Sequence, residues 1–220
     1  YGSYGSHGTI QIFENTRVHT SGFERAGWGW SQPPGATTLI LPLDVLEADD
    51  SFYGRRVPQS APFAGAAHLD NEIGLFAFQL DPDPKKKHAE ALSVRKSVLA
   101  VDGKLVCLGS ALSSKADYPL VTTLFQCGLR GGHDAVRRGE NWIIDPYGTG
   151  YSVAPGFVIN EHIGPQESRH NKTKELTLGA FALAWIDHGA GAQDATYEYM
   201  AVLEADDAAM AERAAQPFYS

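Results

Sequence analysis

Three short clusters hold the side chains with chemical reach. The first is His68-Leu69-Asp70-Asn71-Glu72, two carboxylates, an imidazole and an amide just ahead of an apolar segment that starts at Ile73. Such a group belongs on a loop at the end of a sheet, where sites are commonly built. If the strand begins early, alternation puts His68, Asp70 and Glu72 on one side, and an acid could then hold or tune a base. An ordinary polar turn accounts for the same residues. The second cluster is Trp28-Gly29-Trp30. Two indoles two residues apart on extended chain face the same way, and could stack on sugar rings or anchor a core ahead of Pro33-Pro34-Gly35. The third, Trp185-Ile186-Asp187-His188, offers two metal-ligating types but no partner at metal spacing, so it reads as an end-of-strand turn into Gly189 and no metal site is expected. Asn171-Lys172-Thr173 has the form of a glycosylation acceptor.

The familiar loops of nucleotide and hydrolase chemistry are missing. There is no Gly-x-Ser-x-Gly, no phosphate-binding Gly-x-x-x-x-Gly-Lys and no His-Glu-x-x-His, and the Gly-rich opening Gly2 to Gly8 has no strand before it. No cofactor is expected. With 26 acidic against 18 basic residues the formal charge is -8, the wrong sign for general attraction to nucleic acid. Basic residues pair up at Arg55-Arg56, Lys85-Lys86-Lys87, Arg95-Lys96 and Arg137-Arg138, which reads as solvated loop charge, though a local patch could meet an anionic ligand. Cys107 and Cys127 lie in separate apolar runs without zinc or redox spacing, and read as buried free thiols, with a disulfide between them as the alternative. No run is long and apolar enough for a membrane helix, and Tyr1-Gly2-Ser3 does not start a signal peptide.

The elements that must position these clusters are strands. Helical periodicity is nearly absent before the C-terminus, and 23 Gly and 12 Pro punctuate short β-branched and aromatic runs. The expected strands are 9–13, 37–41, 73–80, 95–101, 104–110, 121–127, 141–145, 150–153, 158–161, 176–186 and 195–204. Asp102-Gly103 predicts a tight hairpin. In Ile73 to Leu80 both alternate sets are apolar, which predicts a strand covered on both faces, whereas Thr196 to Leu203 has one more polar face. Together they predict an all-β, antiparallel sandwich occupying residues 1–220 as a single domain, closed by a short helix from Asp206-Asp207 that ends at Pro217. A lone helix is an unusual end for a sandwich, so the chain reads as a portion of a longer protein.

Longer strings carry a resemblance. Trp28-Gly29-Trp30 followed by Pro34-Gly35-Ala36-Thr37-Thr38 and Leu41-Pro42-Leu43 is similar to the Trp-Asp-Trp, Pro-Gly-Ala/Thr-Thr-Thr element of family 8 polysaccharide lyases. In the same order come Arg95 to Ala100, Leu108-Gly109-Ser110, Thr122 to Gln126, Trp142 to Asp145 with Gly148 to Tyr151, Ala184 to Gly189, and Tyr197 to Met200. These resemble the chondroitin sulfate ABC lyase branch over nearly the whole chain.

That resemblance implies a secreted or periplasmic bacterial enzyme of two parts, a helical toroid with most catalytic groups and a large β-sandwich region of which this chain is the first portion. It implies cleavage of an anionic glycosaminoglycan, chondroitin sulfate, dermatan sulfate or hyaluronan, by β-elimination. The base, the acid and the carboxylate-neutralising groups then belong to the toroid and match nothing here. From the β region the family places a Glu in the cleft; its position matches Asp70, with Glu72 as the alternative acid and His68, Asn71, Trp28 and Trp30 as substrate contacts. The competing expectation is a noncatalytic carbohydrate-binding or structural sandwich. Partners implied are the polysaccharide and the toroid, with neither nucleic acid nor membrane.

Overall fold

A computed structural model describes residues 8–13, 21–42, 61, 63–70, 72–81, 92–129, 136–170 and 173–216. Twelve strands and one helix follow in order: β1 Thr37–Leu39, β2 Ala64–Leu69, β3 Ile73–Leu80, β4 Ser93–Val101, β5 Lys104–Ser113, β6 Pro119–Gly128, β7 Arg137–Arg138, β8 Trp142–Ile144, β9 Gly150–Val153, β10 Ile159–Arg169, β11 Leu176–Ala190, β12 Ala195–Val202 and α1 Asp207–Ala214. They form a four-stranded sheet, β1-β6-β11-β10, and an eight-stranded sheet, β2-β3-β4-β5-β12-β9-β8-β7. Every pairing is antiparallel. The fold is the expected β-sandwich with a short C-terminal helix.

The alternation of strand residues makes the core. Phe125 on β6 meets Tyr151 on β9 with ring centroids 5.3 Å apart, and Tyr197 stacks toward Tyr199 at 5.8 Å. Around them Cys107, Cys127, Ala182, Ala184 and Leu120 are all buried, and both cysteines are free. Asp102 and Gly103, at φ 48° and 67°, form the expected tight turn between β4 and β5. Helix α1 starts at Asp206, whose carboxylate accepts from the Ala209 amide at 2.8 Å, and buries Met210 against Trp142 and Ile144.

Four sequence expectations change. Residues 9–13 are not a strand. Ile10 N donates to Pro34 O at 2.9 Å, but Pro33 and Pro34 have no N–H to return, so no ladder forms. Strand β10 runs to Arg169 rather than stopping at Glu161, because it is a sheet edge and Pro165 owes its neighbours no donor. Strand β2 and the two-residue β7 were not expected; Ala64–Leu69 is poor in β-formers and is held by its ladder to β3. Finally, β3 is not covered on both faces: Phe78 and Leu80 are buried, whereas Ile73, Leu75 and Phe76 are 37%, 44% and 42% exposed. The edge strand β2 beside it is exposed throughout, so neither layer reaches the first half of this hairpin. Arg55-Arg56, Lys85 to Lys87, Asn171 and Pro217 lie outside the described residues.

Candidate functional site

The β2–β3 hairpin carries the first cluster on its turn. Leu69 pairs with Ile73, Glu72 N donates to Leu69 O at 3.0 Å, and Asp70 takes φ 49° to make the reversal. Both Asp70 and Glu72 are exposed at the sheet end, as is His68, which pairs with Gly74; Asn71 lies outside the described residues. Because the chain reverses between Asp70 and Ile73, alternation along one strand does not apply, and the shared face expected for His68, Asp70 and Glu72 is replaced by a turn that fans them into solvent. The neighbouring turns at this end are acidic too: Asp102 follows Val101, the partner of Ile73, and Glu204 follows Leu203, whose amide donates to Gly103 O at 3.2 Å. With Lys104 as the nearby cation in the same row, this rim disfavours a polyanion unless basic groups arrive from elsewhere.

The tryptophan cluster sits on the outer face of the other sheet. Trp28 is 4% exposed, with Phe23 at 4.9 Å and Phe181 at 5.9 Å, both edge-on, so it works as a core anchor with little face open to a sugar. Trp30 is half-buried and donates from Nε1 to Arg169 O at 2.9 Å. What holds this segment is Gln126, fully buried on β6. Its Oε1 accepts from Gly29 N at 2.7 Å and from Gln166 Nε2 at 2.8 Å, and its Nε2 donates to Gln32 O at 2.8 Å. Trp28 and Trp30 therefore belong to one layer and Asp70 and Glu72 to the edge of the other; the two clusters are not gathered into one constellation.

The Gln126 carboxamide makes a direct prediction. Gln126→Leu leaves the partly buried Gly29 N and Gln32 O without their partner, each at the lower end of the about 1–3 kcal/mol that an orphaned buried group costs. Unfolding should weaken by about 2–3 kcal/mol, with a red shift of tryptophan emission as Trp28 loosens. Unchanged stability and emission would show that the loop holds itself.

The third cluster is not the expected end-of-strand turn: Trp185 to His188 lie inside β11, which runs on to Ala190, and the register shift between Asp187 and Gly189 makes a β-bulge there. Asp187 Oδ1 accepts from Gly189 N at 2.8 Å, and His188 Nε2 lies 2.9 Å from Thr122 Oγ1, which in turn is 2.9 Å from Thr37 Oγ1. Burial pushes the His188 imidazole down to about 4, against the opposing pull of Asp187. Among the described residues no group of three metal-ligating side chains is present.

Two buried charges escape sequence reasoning. Lys96, grouped by its neighbour Arg95 with solvated loop charge, is 3% exposed; its Nζ donates to Gly8 O at 2.6 Å and to Gly35 O, and burial lowers it to about 8. The available signal was its place between Val94 and Val98 on the inward set of β4. Asp145, the residue before Pro146, lies beside a cavity of about 30 Å³ that Cys127, Tyr147 and Tyr151 also line. Its Oδ1 accepts from Tyr147 N at 2.8 Å and Thr149 N at 3.0 Å, yet burial outweighs these bonds and raises the carboxyl to about 6. Both charges brace loops.

Sandwich and rim thus define a β-sandwich that presents an acidic sheet end without a convergent catalytic cluster among the described residues. The model of "Polysaccharide lyase family 8, super-sandwich domain" matches residues 1–214, and the chain belongs to that family. It is similar to a chondroitin sulfate ABC endolyase of Proteus vulgaris, 33% identical over 97% of this chain and 22% of that protein. A chondroitin sulfate ABC exolyase of Bacteroides thetaiotaomicron is also 33% identical, over 100% of this chain and 23% of its own length. Among solved structures, the chondroitin AC lyase of Streptomyces coelicolor A3, in complex with chondroitin sulphate, superposes with a TM-score of 0.75 at 24% identity, covering 94% of this chain and 27% of that one. The chain therefore spans under a quarter of the length of these two curated relatives.

Proposed function

We propose that this chain is the β-sandwich module of a lyase acting on an anionic glycosaminoglycan, serving as scaffold and carbohydrate-facing wall while another part of the enzyme breaks the bond. The carrying observation is the family match across residues 1–214. In β-elimination at a uronate, a proton leaves C5 beside a carboxylate, so a second negative charge develops next to the first and must be neutralised by preorganised donors or cations. The described sheet end offers acids where that step needs the opposite, which supports a noncatalytic role for the module itself. Chondroitin sulfate, dermatan sulfate or hyaluronan is the substrate class, the partner is a helical domain of the same enzyme, and the setting is secreted or periplasmic in a bacterium. Among the described residues no helix is long and apolar enough to cross a membrane.

A second reading rests on the turn. Asp70 and Glu72 are exposed at the end of a projecting hairpin, where one carboxylate could reach a cleft and orient a catalytic tyrosine or arginine from the opposite wall, with His68 and Asn71 as lesser contacts. The test takes two forms. The isolated chain mixed with chondroitin sulfate should yield no ultraviolet-absorbing unsaturated uronate; turnover by this chain alone would reject the module reading. In the complete enzyme, Asp70→Asn and Glu72→Gln should separate the two roles: a drop in kcat of about 10²-fold or more marks an orienting acid, and unchanged kcat in both leaves the scaffold role.

A further inference from the structure

Among the described residues each sheet ends in two edge strands, and all of these edges but one are guarded. In the four-stranded sheet, β1 is buried along its length, and β10 carries Pro165 at its middle with Glu161, Glu167 and Arg169 along it. In the eight-stranded sheet, β7 consists of Arg137 and Arg138 alone. The remaining edge, β2, has no such device. Its residues, Ala-Gly-Ala-Ala-His-Leu, include no proline, lysine, arginine or acid, they pair with β3 without a register shift, and all are exposed.

The bonding phase of the hairpin tells which backbone groups this edge offers. Gln79 N donates to Phe63 O at 3.1 Å, so Phe63 and Gln79 are a hydrogen-bonded pair, and alternation along the ladder gives Gly65, Ala67 and Leu69 the same character. The N–H and C=O of Ala64, Ala66 and His68 therefore point away from β3, toward the open side. We propose that this side pairs with β2 of a second copy, antiparallel, about a two-fold axis at Ala66. The edge is self-complementary in that register. Ala64, Ala66 and His68 face the second copy's His68, Ala66 and Ala64, so every outward N–H and C=O exchanges bonds across the joint. With the axis perpendicular to the sheet, side chains keep their faces, and Phe63 and Leu69, 54% and 60% exposed, come directly opposite one another at both ends of the joint. These are non-hydrogen-bonded pairs, where side chains approach most closely. Gly65 against Ala67 fills the space between with small groups. No like charges meet, because His68 faces Ala64 and the two Asp70 and Glu72 turns lie at opposite ends. The two eight-stranded sheets then run on as one, through an isologous joint that is independent of the lyase-module reading.

A short edge makes a weak dimer, so concentration is the variable. The 220-residue chain should sediment as a monomer at micromolar and as a dimer near millimolar concentration. Ala66→Pro removes an N–H that β3 does not use, and should weaken the dimer by about tenfold or more with the far-ultraviolet circular dichroism unchanged. Ala66→Cys tests the register without proline. Two Cα atoms facing across the axis lie about 5.5 Å apart, within disulfide reach, so glutathione disulfide should link this variant to itself about tenfold faster than Ala64→Cys, whose two copies sit on either side of the axis. The native cysteines, 0% and 4% exposed, stay out of the reaction. A chain that remains monomeric at millimolar concentration overturns the proposal, and so do equal cross-linking rates at positions 64 and 66. Maleimide protection of Ala66→Cys in the complete enzyme that does not change with concentration gives the edge to another part of that enzyme, and overturns it too.

Discussion

Gly27→Ala should cost roughly 3–5 kcal/mol, a large share of the ~5–15 kcal/mol that keeps a domain folded. Gly27 sits at φ +78°, where an L-residue pays about 1–2 kcal/mol. Its Cβ would lie 2.3 Å from Gly179 N and 2.6 Å from Gln166 O, backbone atoms of the β10–β11 ribbon that cannot swing aside. Relieving that clash means lifting the loop, at about 1–3 kcal/mol for overpacking and more as bonds break. The Gly27 amide would lose Thr177 Oγ1 at 3.0 Å, and its carbonyl would lose Gln166 Nε2 at 2.7 Å. Gly103→Ala is the reference: φ is +67°, but no heavy atom lies within 4 Å, so only the backbone cost of about 1–2 kcal/mol remains. Urea unfolding of both variants checks the account. Equal losses would mean that contact with Gly179 contributes nothing beyond the dihedral.

The same contact shows what a sequence can and cannot disclose. Alternation and turn chemistry are local, so Ile73–Leu80, Gly150–Val153 and the Asp102-Gly103 reversal were legible with their boundaries, and the acidic pair Asp206-Asp207 placed the start of the helix. Ala64–Leu69 was not legible, because small residues carry little strand preference and pair only when β3 supplies a ladder. Nor was Gly27 against Gly179, an approach between residues far apart in sequence that depends on both lacking a Cβ. Of the candidate site, the type and turn position of Asp70 and Glu72 could be read directly. The reversal that separates them from a shared strand face could not, since it depends on where β2 begins. Trp28 and Trp30 showed their spacing but not their layer; that was decided by Gln126, whose outward place on β6 is visible only once the Leu183 register is known. Lys96 is the sharpest case. Its charge argued for solvent, and two backbone carbonyls from distant loops overrode the argument.

Between pH 4 and 7 two buried groups should pull stability in opposite directions, so that the native protein shows less pH dependence than either of two single variants. Asp145 is raised from 3.8 to about 6, chiefly by burial. The folded chain then holds this proton more tightly than the unfolded one, and the contribution is fully present below about 3.8 and lost as pH rises through about 6. A shift of that size corresponds to about 3 kcal/mol. His188 is lowered from 6.5 to about 4 by burial, so the unfolded chain binds its proton more tightly; its contribution is fully present above 6.5 and lost as pH falls through about 4. Part of the ring reaches solvent, and screening reduces its share to about 1–2 kcal/mol. Asp145→Asn keeps an oxygen for the Tyr147 and Thr149 amides while removing the ionisation, so its stability should climb by about 1–2 kcal/mol from pH 4 to 7 on the His188 term alone. His188→Gln keeps a partner for Thr122 and should instead fall by about 3 kcal/mol over the same range. Surface carboxylates titrate alike in all three proteins and cancel in the differences. Parallel stability curves for Asp145→Asn and the native chain would mean that the amides of Tyr147 and Thr149 already offset the burial of the carboxylate.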